Sequence, residues 1–293
     1  MNRRYITTGA AGLDTESFPW RLWQKAKRLG VWDPAAIDLS RDREDWSRLS
    51  PDERDVLLRL TSLFQAGEEA VTVDVLPLIG VIARQGRLEE EMYLTSFLFE
   101  EAKHVELFRR YLDEVAGERS DLSRYHTPSY RAIFADALPT AMERLRTDDS
   151  NEALAMASAT YNMIVEGVLA ETGYRAYHAA LARNGIMPGM QEGIQLTRRD
   201  ESRHIAYGIY LLARLVHEEG AGLWSRVQER MGELIEPAVG VIPEVFACYD
   251  PMPLGLRMDE FTDFAMLQFQ ARLGRLERAV KGDLGGAMEG LDD

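Results

Sequence analysis

Apolar residues recur along this chain at steps of three and four almost throughout, and no segment alternates convincingly like a strand. The pattern predicts helices. Ser50-Pro51-Asp52-Glu53 supplies a cap residue, a proline at the first helical position and acids in the first turn. The helix it opens should run to about Leu76, where Pro77 disturbs it. A second helix is expected over roughly 87–116, stopping near Gly117. A third, over 127–147, starts at Thr127-Pro128. A fourth, over 150–183, ends at Asn184-Gly185, a C-terminal cap pair. A fifth covers about 188–218, with shorter helices over 221–238 and 257–280. The end of the chain, about 281–293, reads as disordered. No linker or low-complexity segment interrupts the pattern, so residues 1–293 are expected to form a single all-α domain.

Composition narrows the function classes. The chain is 46% hydrophobic and 28% charged, enough for a large core, and carries a net charge of −14. That charge argues against nucleic acid and against docking on an anionic membrane, both of which need an excess of Lys and Arg. Cys248 is the single cysteine, so neither a disulfide framework nor a thiolate metal site is available. A reducing, cytoplasmic setting fits. MNRRYITTGAAG lacks the apolar run of a signal peptide. VTVDVLPLIGVIA carries Asp74 and Pro77 and is too short to span a bilayer, so no transmembrane segment is expected.

Polar residues break the helical stripes at informative places. In FEEAKHVELF, Glu101 and His104 belong to the stripe Phe97, Glu101, His104, Phe108, Tyr111, Val115, while Glu100, Lys103 and Glu106 fall to its sides. A hundred residues later Glu201 and His204 sit in the stripe Ile194, Thr197, Glu201, His204, Gly208, Leu211, Leu215. Each pair follows a helix with an acid of its own. Glu68 lies between Phe64 and Val71, and Glu166 lies among Met163, Ile164, Val165 and Val168. A buried ionised carboxylate costs several kcal/mol unless paired. A lone Glu-x-x-His is more often a satisfied core histidine than a ligand. Six residues in this order, however, form the di-metal carboxylate site of ferritin-like bundles: one Glu from each of two helices and a Glu-x-x-His from each of two others. Glu68, Glu101, His104, Glu166, Glu201 and His204 are therefore the expected metal ligands. Four carboxylates balance two divalent ions, and oxygen-rich ligation with two imidazoles suits iron or manganese. The expected fold is a ferritin-like helical bundle, with a four-helix core holding the di-metal site and further helices flanking it.

From about Trp32 to Leu215 the chain resembles the ribonucleotide reductase small subunit, with WDPAAIDLSRDREDWSRLSPDERD matching that family's N-terminal signature. The resemblance implies a hydrogen-bonded path from Trp32 through Asp200 to His104. One departure matters. Where the radical-storing members have a tyrosine four residues after the first histidine, this chain has Phe108, which has no O–H to oxidise. Its last tyrosine is Tyr249 and its last aromatic Phe269, so no ring in the tail can relay a radical. The chain is more similar to a sister group, the R-two-like ligand-binding oxidases, through EEAVTVDVLPLI at 68–79.

That resemblance implies a cofactor of one manganese and one iron, with di-iron a further state under iron-rich loading. It also implies dioxygen as co-substrate, a long-chain fatty acid with its carboxylate at the metals, and a homodimer. The chemistry implied is a two-electron C–H oxidation that joins Tyr161 to Val71 by an ether cross-link. Val71 is one turn from Glu68. Tyr161, five residues before Glu166, would lie about 140° away from it on a regular α-helix, and a π-bulge would narrow that angle. Tyr174 is a candidate polar contact for the ligand. Three alternatives stand: a ribonucleotide reductase small subunit lacking the radical tyrosine, with a Mn/Fe or di-iron cofactor; an iron-storage protein; and a structural di-metal protein without turnover.

Overall fold

The computed structural model describes Tyr5, residues 7–10, 12–283 and 287–288. Two helices precede the first expected one: α1 (Phe18–Leu29) and α2 (Ser40–Arg48). The long helix α3 (Pro51–Arg84) opens on a capping box, Ser50 Oγ accepting from Glu53 N while Glu53 accepts from Ser50 N. Pro77 does not end it. The residues beyond the proline, Leu78, Val81 and Ile82, are all buried, while Val73, whose carbonyl loses its partner at Pro77, is exposed to water. Packing past the proline outweighs one lost hydrogen bond.

α4 (Leu88–Arg110) continues as a π-helical turn, Tyr111–Ala116. α5 (Pro128–Arg131), capped by Thr127, runs through a second π turn, Ala132–Ala137, into α6 (Leu138–Arg144). The expected fourth helix is composite. α7 (Asn151–Ser158) passes into a π-helical segment, Ala159–Ala170, then α8 (Glu171–Tyr177) and a π turn, His178–Ala182. α9 (Pro188–Glu219) follows. α10 (Ala221–Phe246) overruns its expected end at 238 past Pro237 and Pro243, because Val241 and Ile242 are buried beyond it. α11 (Met258–Val280) completes the set. Of the C-terminal segment expected to be disordered, 284–286 and 289–293 lie outside the described residues; Ala287 is buried against Ala213 and Ala279.

The core is a four-helix bundle. α3 packs on α4, and α9 packs on the π segment, so a helix pair is used twice. α1 and α2 brace it from outside. Asp42 of α2 accepts hydrogen bonds from Gly189 N (2.9 Å) and Met190 N (2.7 Å), and Asp45 accepts from Met187 N (2.9 Å). Two buried acids thus satisfy the free amides at the N-terminus of α9 and complement its dipole. Among the described residues one helical stretch, Asn151–Ala182, is long and apolar enough to cross a membrane, and 83% of its apolar window is buried in the bundle, as a core helix requires.

Candidate metal centre

The six stripe residues converge. Glu68 on α3, Glu101 and His104 on α4, Glu166 on the π segment, and Glu201 and His204 on α9 are all buried, the two histidines completely. Two groups that could each hold a metal ion form, Glu68–Glu101–His104–Glu201 and Glu101–Glu166–His204. His104 Nδ1 is 3.6 Å from Glu68 Oε2, 3.6 Å from Glu101 Oε2 and 3.4 Å from Glu201 Oε1. His204 Nδ1 is 3.1 Å from Glu101 Oε1, 3.5 Å from Glu166 Oε1 and 3.6 Å from Glu201 Oε2. Glu101 and Glu201 therefore each face both histidines with different oxygens, as bridging carboxylates would. Glu68 and Glu166 each serve one side.

These groups suit a pair of cations. Both Nδ1 atoms, Glu101 Oε2, Glu166 Oε1 and Glu201 Oε2 are buried without a hydrogen-bond partner, and all converge on one volume. Buried polar atoms in native cores are otherwise almost always paired. Electrostatics points the same way. Burial pushes the Glu68 carboxyl well above its ordinary value and Glu166 up to about 7. Burial opposes charge on the imidazoles too, but hydrogen bonds to surrounding carboxylates, led by Asp200 for His104 and Glu100 for His204, raise both well above the ordinary histidine value. Glu101 moves the other way, held well below the carboxylate range because contacts with both histidines outweigh its burial. Divalent ions would take the place of these protons.

The outer support is a crossed pair. His104 Nε2 faces Asp200 Oδ2 at 3.4 Å, and that oxygen accepts from Trp32 Nε1 at 2.7 Å and Lys103 Nζ at 2.9 Å. His204 Nε2 faces Glu100 Oε2 at 2.9 Å, while Arg203 donates to both Glu100 Oε1 and Asp200 Oδ1 at 2.6 Å. A carboxylate on each Nε2 makes it the donor nitrogen and frees Nδ1 for a metal. His104, Lys103 and Arg203 hold Asp200 well below the usual carboxylate range despite its burial.

Glu100 and Lys103 were not distinguished by the sequence pattern, which turned them to the side of the stripe; both are buried. The signal was a repeat, Glu100-Glu101-Ala102-Lys103-His104 and Asp200-Glu201-Ser202-Arg203-His204. Each acid supports the histidine of the opposite helix. Gly30 makes room for this network: a Cβ there would collide with Glu100 Oε1, and Gly30 O accepts from Lys103 Nζ at 2.7 Å. Glu100→Gln is expected to retain the fold and the metal beside His104 but weaken metal binding beside His204 by about 10–100-fold, read by metal titration with elemental analysis.

Over Ala159–Ala170 the i→i+5 repeat aligns residues five apart, so Tyr161 and Glu166 face the same interior. The Tyr161 hydroxyl donates to Glu101 Oε1 at 2.9 Å. Tyr174 donates to Glu201 Oε1 at 3.3 Å. Asn162, which the sequence pattern did not single out, donates to Glu166 Oε2 at 2.9 Å and is itself fixed by Ser158. A cavity of about 150 Å³ reaches this centre. Its inner wall holds Glu68, Glu101, Glu166, Glu201, Val71 and Tyr161; the rest is largely apolar, with Leu63, Phe64, Leu169, Ile242 and Phe261.

Residues 16–276 match the model of the ribonucleotide reductase small chain. Several solved structures are close in fold and sequence. An R2-like ligand-binding oxidase with an aerobically reconstituted Mn/Fe cofactor is 39% identical, with a TM-score of 0.89, covering 94% of this chain and 98% of that one. A Tyr-to-Phe variant prepared the same way is 38% identical, with a TM-score of 0.90 over the same shares. A Val-to-Ala variant with anaerobically reconstituted Mn/Fe is 40% identical, with a TM-score of 0.87, covering 93% of this chain and 98% of that one. With its bundle, its paired ligand sets and these likenesses, the chain belongs to the ribonucleotide reductase small-chain family and, within it, to the R2-like ligand-binding oxidases.

Proposed function

We propose that this protein is a dioxygen-using Mn/Fe oxidase that binds a long-chain fatty acid and carries out a two-electron C–H oxidation on itself, joining Tyr161 to Val71. One observation carries the reading: the apolar cavity ends on the four clustered glutamates, and Val71 and Tyr161 both stand in its wall, the Tyr161 hydroxyl on Glu101. Glu68, Glu101 and His104 would hold one metal and Glu101, Glu166 and His204 the other, with Glu201 reaching both. When bound, the metals supply the redox chemistry with dioxygen.

The residues around them divide the remaining work. Burial, reinforced by Glu101, Glu166 and Glu201, raises Tyr161 well above the ordinary phenol value, so it keeps its proton until it reacts. Glu101 Oε1 orients the phenol by accepting its hydrogen bond, and the proton leaves for the reduced dioxygen as the phenolic oxygen bonds to Val71 Cβ. One hydrogen leaves Val71 and one leaves Tyr161, and their two electrons go to the dioxygen-derived oxidant. The apolar walls exclude water and suit an acyl chain, whose carboxylate would meet the metals; Tyr174, on Glu201, is placed near that end. Phe108 is packed against Phe64 and Tyr177 and offers no oxidisable hydroxyl, which disfavours a radical-storing subunit. The same reading takes the protein as a cytoplasmic homodimer, a setting that the exposed, unpaired Cys248 suits.

Solvent extraction of metal-loaded protein followed by negative-ion mass spectrometry tests the ligand. A long-chain fatty acid at roughly one per chain is expected, the occupancy of a single pocket. Recovery of none after incubation with a mixture of free fatty acids would remove that part of the reading.

A further inference from the structure

Away from the metal centre, a buried acid sits among aromatic rings. Glu90, on α4, is 3% exposed. Its Oε2 accepts a hydrogen bond from the Tyr207 hydroxyl at 3.0 Å and lies 3.5 Å from Arg214 Nη2; its Oε1 lies 3.5 Å from Arg87 Nη1. Arg214 and Arg87 both pair with Glu218, so the cluster continues to the surface.

Tyr207 is also one member of a file of rings. Phe97 stacks on His204 with centroids 3.6 Å apart; Tyr93 follows at 6.2 Å from Phe97, Tyr207 at 5.3 Å from Tyr93, and Tyr210 at 6.3 Å from Tyr207. Tyr210 is half-buried and stacks on Phe18. Phe97 also lies 5.8 Å from Tyr161. Packing explains rings in a core, and Arg214 and Arg87 offset the buried charge of Glu90, but neither accounts for a carboxylate oxygen held on the hydroxyl of one ring of the file. Electronic coupling falls steeply with distance, and steps of this size keep it substantial. A phenol that loses an electron becomes a strong acid and needs a base within hydrogen-bond reach. Tyr93 has none, its hydroxyl being buried without a partner. Tyr207 has Glu90, whose basicity burial increases.

We propose that Tyr207, with Glu90 as its proton acceptor, is a redox station through which oxidising equivalents not consumed between Val71 and Tyr161 leave the metal centre for the surface at Tyr210. This rests on the oxidase reading above. One electron tunnels from the Tyr207 ring across the intervening rings of Tyr93 and Phe97, neither of which is itself oxidised, toward the centre that has reacted with dioxygen. The hydroxyl proton moves to Glu90 Oε2, leaving a neutral tyrosyl radical. A one-electron donor in solution returns the electron at Tyr210, and Glu90 returns the proton.

The test uses a Val71→Ala, Tyr161→Phe background, which lacks both internal targets, loaded with manganese and iron in air and freeze-quenched for electron paramagnetic resonance. A tyrosyl signal is expected that changes with ring-deuterated tyrosine. Adding Tyr207→Phe or Glu90→Gln should lower its yield by about tenfold or more, whereas Tyr93→Phe should leave it unchanged, with equal metal content throughout. Equal yield in Tyr207→Phe or Glu90→Gln overturns the proposal. So does loss of the signal in Tyr93→Phe, or no signal in the background when the wild-type chain, loaded alongside, has lost its two hydrogens. If the wild-type mass is unchanged, the oxidase reading itself has failed, and the station loses its oxidant with it.

Discussion

Glu101→Ala is expected to leave a folded protein that holds neither metal. Glu101 offers Oε1 to the His204 side and Oε2 to the His104 side, so truncation removes a ligand from both positions at once. Each half is left with fewer carboxylates and a histidine that has lost one of its closest counter-charges. Losing an outer-shell partner typically costs 10–100-fold in metal affinity, and losing a shared inner ligand should cost well over about 100-fold. Elemental analysis after loading and desalting reads this directly. Glu68→Ala is the companion, because Glu68 contacts the His104 side: it should lose metal there and keep the metal beside His204. Full metal retention by Glu101→Ala would contradict the bridging assignment.

Aerobic loading with manganese and iron should lower the intact mass by two hydrogens, and peptide mapping should recover one branched species joining the Val71 and Tyr161 peptides. The effect is close to all-or-none, since an ether bond survives denaturation and proteolysis. Two features favour it. The π segment turns Tyr161 and Glu166 to the same side, and Glu101 Oε1 accepts from the phenol that must give up its proton. Anaerobic loading should leave the mass unchanged, as should Tyr161→Phe at its own calculated mass. Separate, unmodified Val71 and Tyr161 peptides from a chain that has bound both metals and been exposed to air would end the self-oxidation reading.

The helical bundle and the six inner acids and imidazoles were legible because burial and charge conflict so strongly. A glutamate between Phe64 and Val71, or a histidine four residues before Phe108, is tolerable only if something compensates it, and the steps of three and four place it inside. Glu100 was harder to read. A residue one position off a stripe is turned about 100° on its own helix; on a lone helix that direction is solvent, but in a four-helix core it is the neighbouring helix, here α9. Asn162 escaped for a related reason, since regular helical geometry misjudges the angle between residues across Ala159–Ala170. α2 is hard to read because Asp42 and Asp45 look like surface acids until the amides of Met187, Gly189 and Met190 are brought to them. Pro77 reads as a boundary because local chemistry says so, and burial on its far side overrides it, as burial of Val241 and Ile242 carries α10 past its expected end.

The crossed support of the two imidazoles has a mechanical consequence. Asp200 of α9 aims His104 of α4, and Glu100 of α4 aims His204 of α9. If one rod slides along the other, both rings are misdirected together, whereas a small symmetric swelling of the bundle strains each contact alike and leaves both bearings unchanged. Movement of one helix along the other should therefore misdirect both metal positions together, even though loss of a single side chain can empty one of them alone.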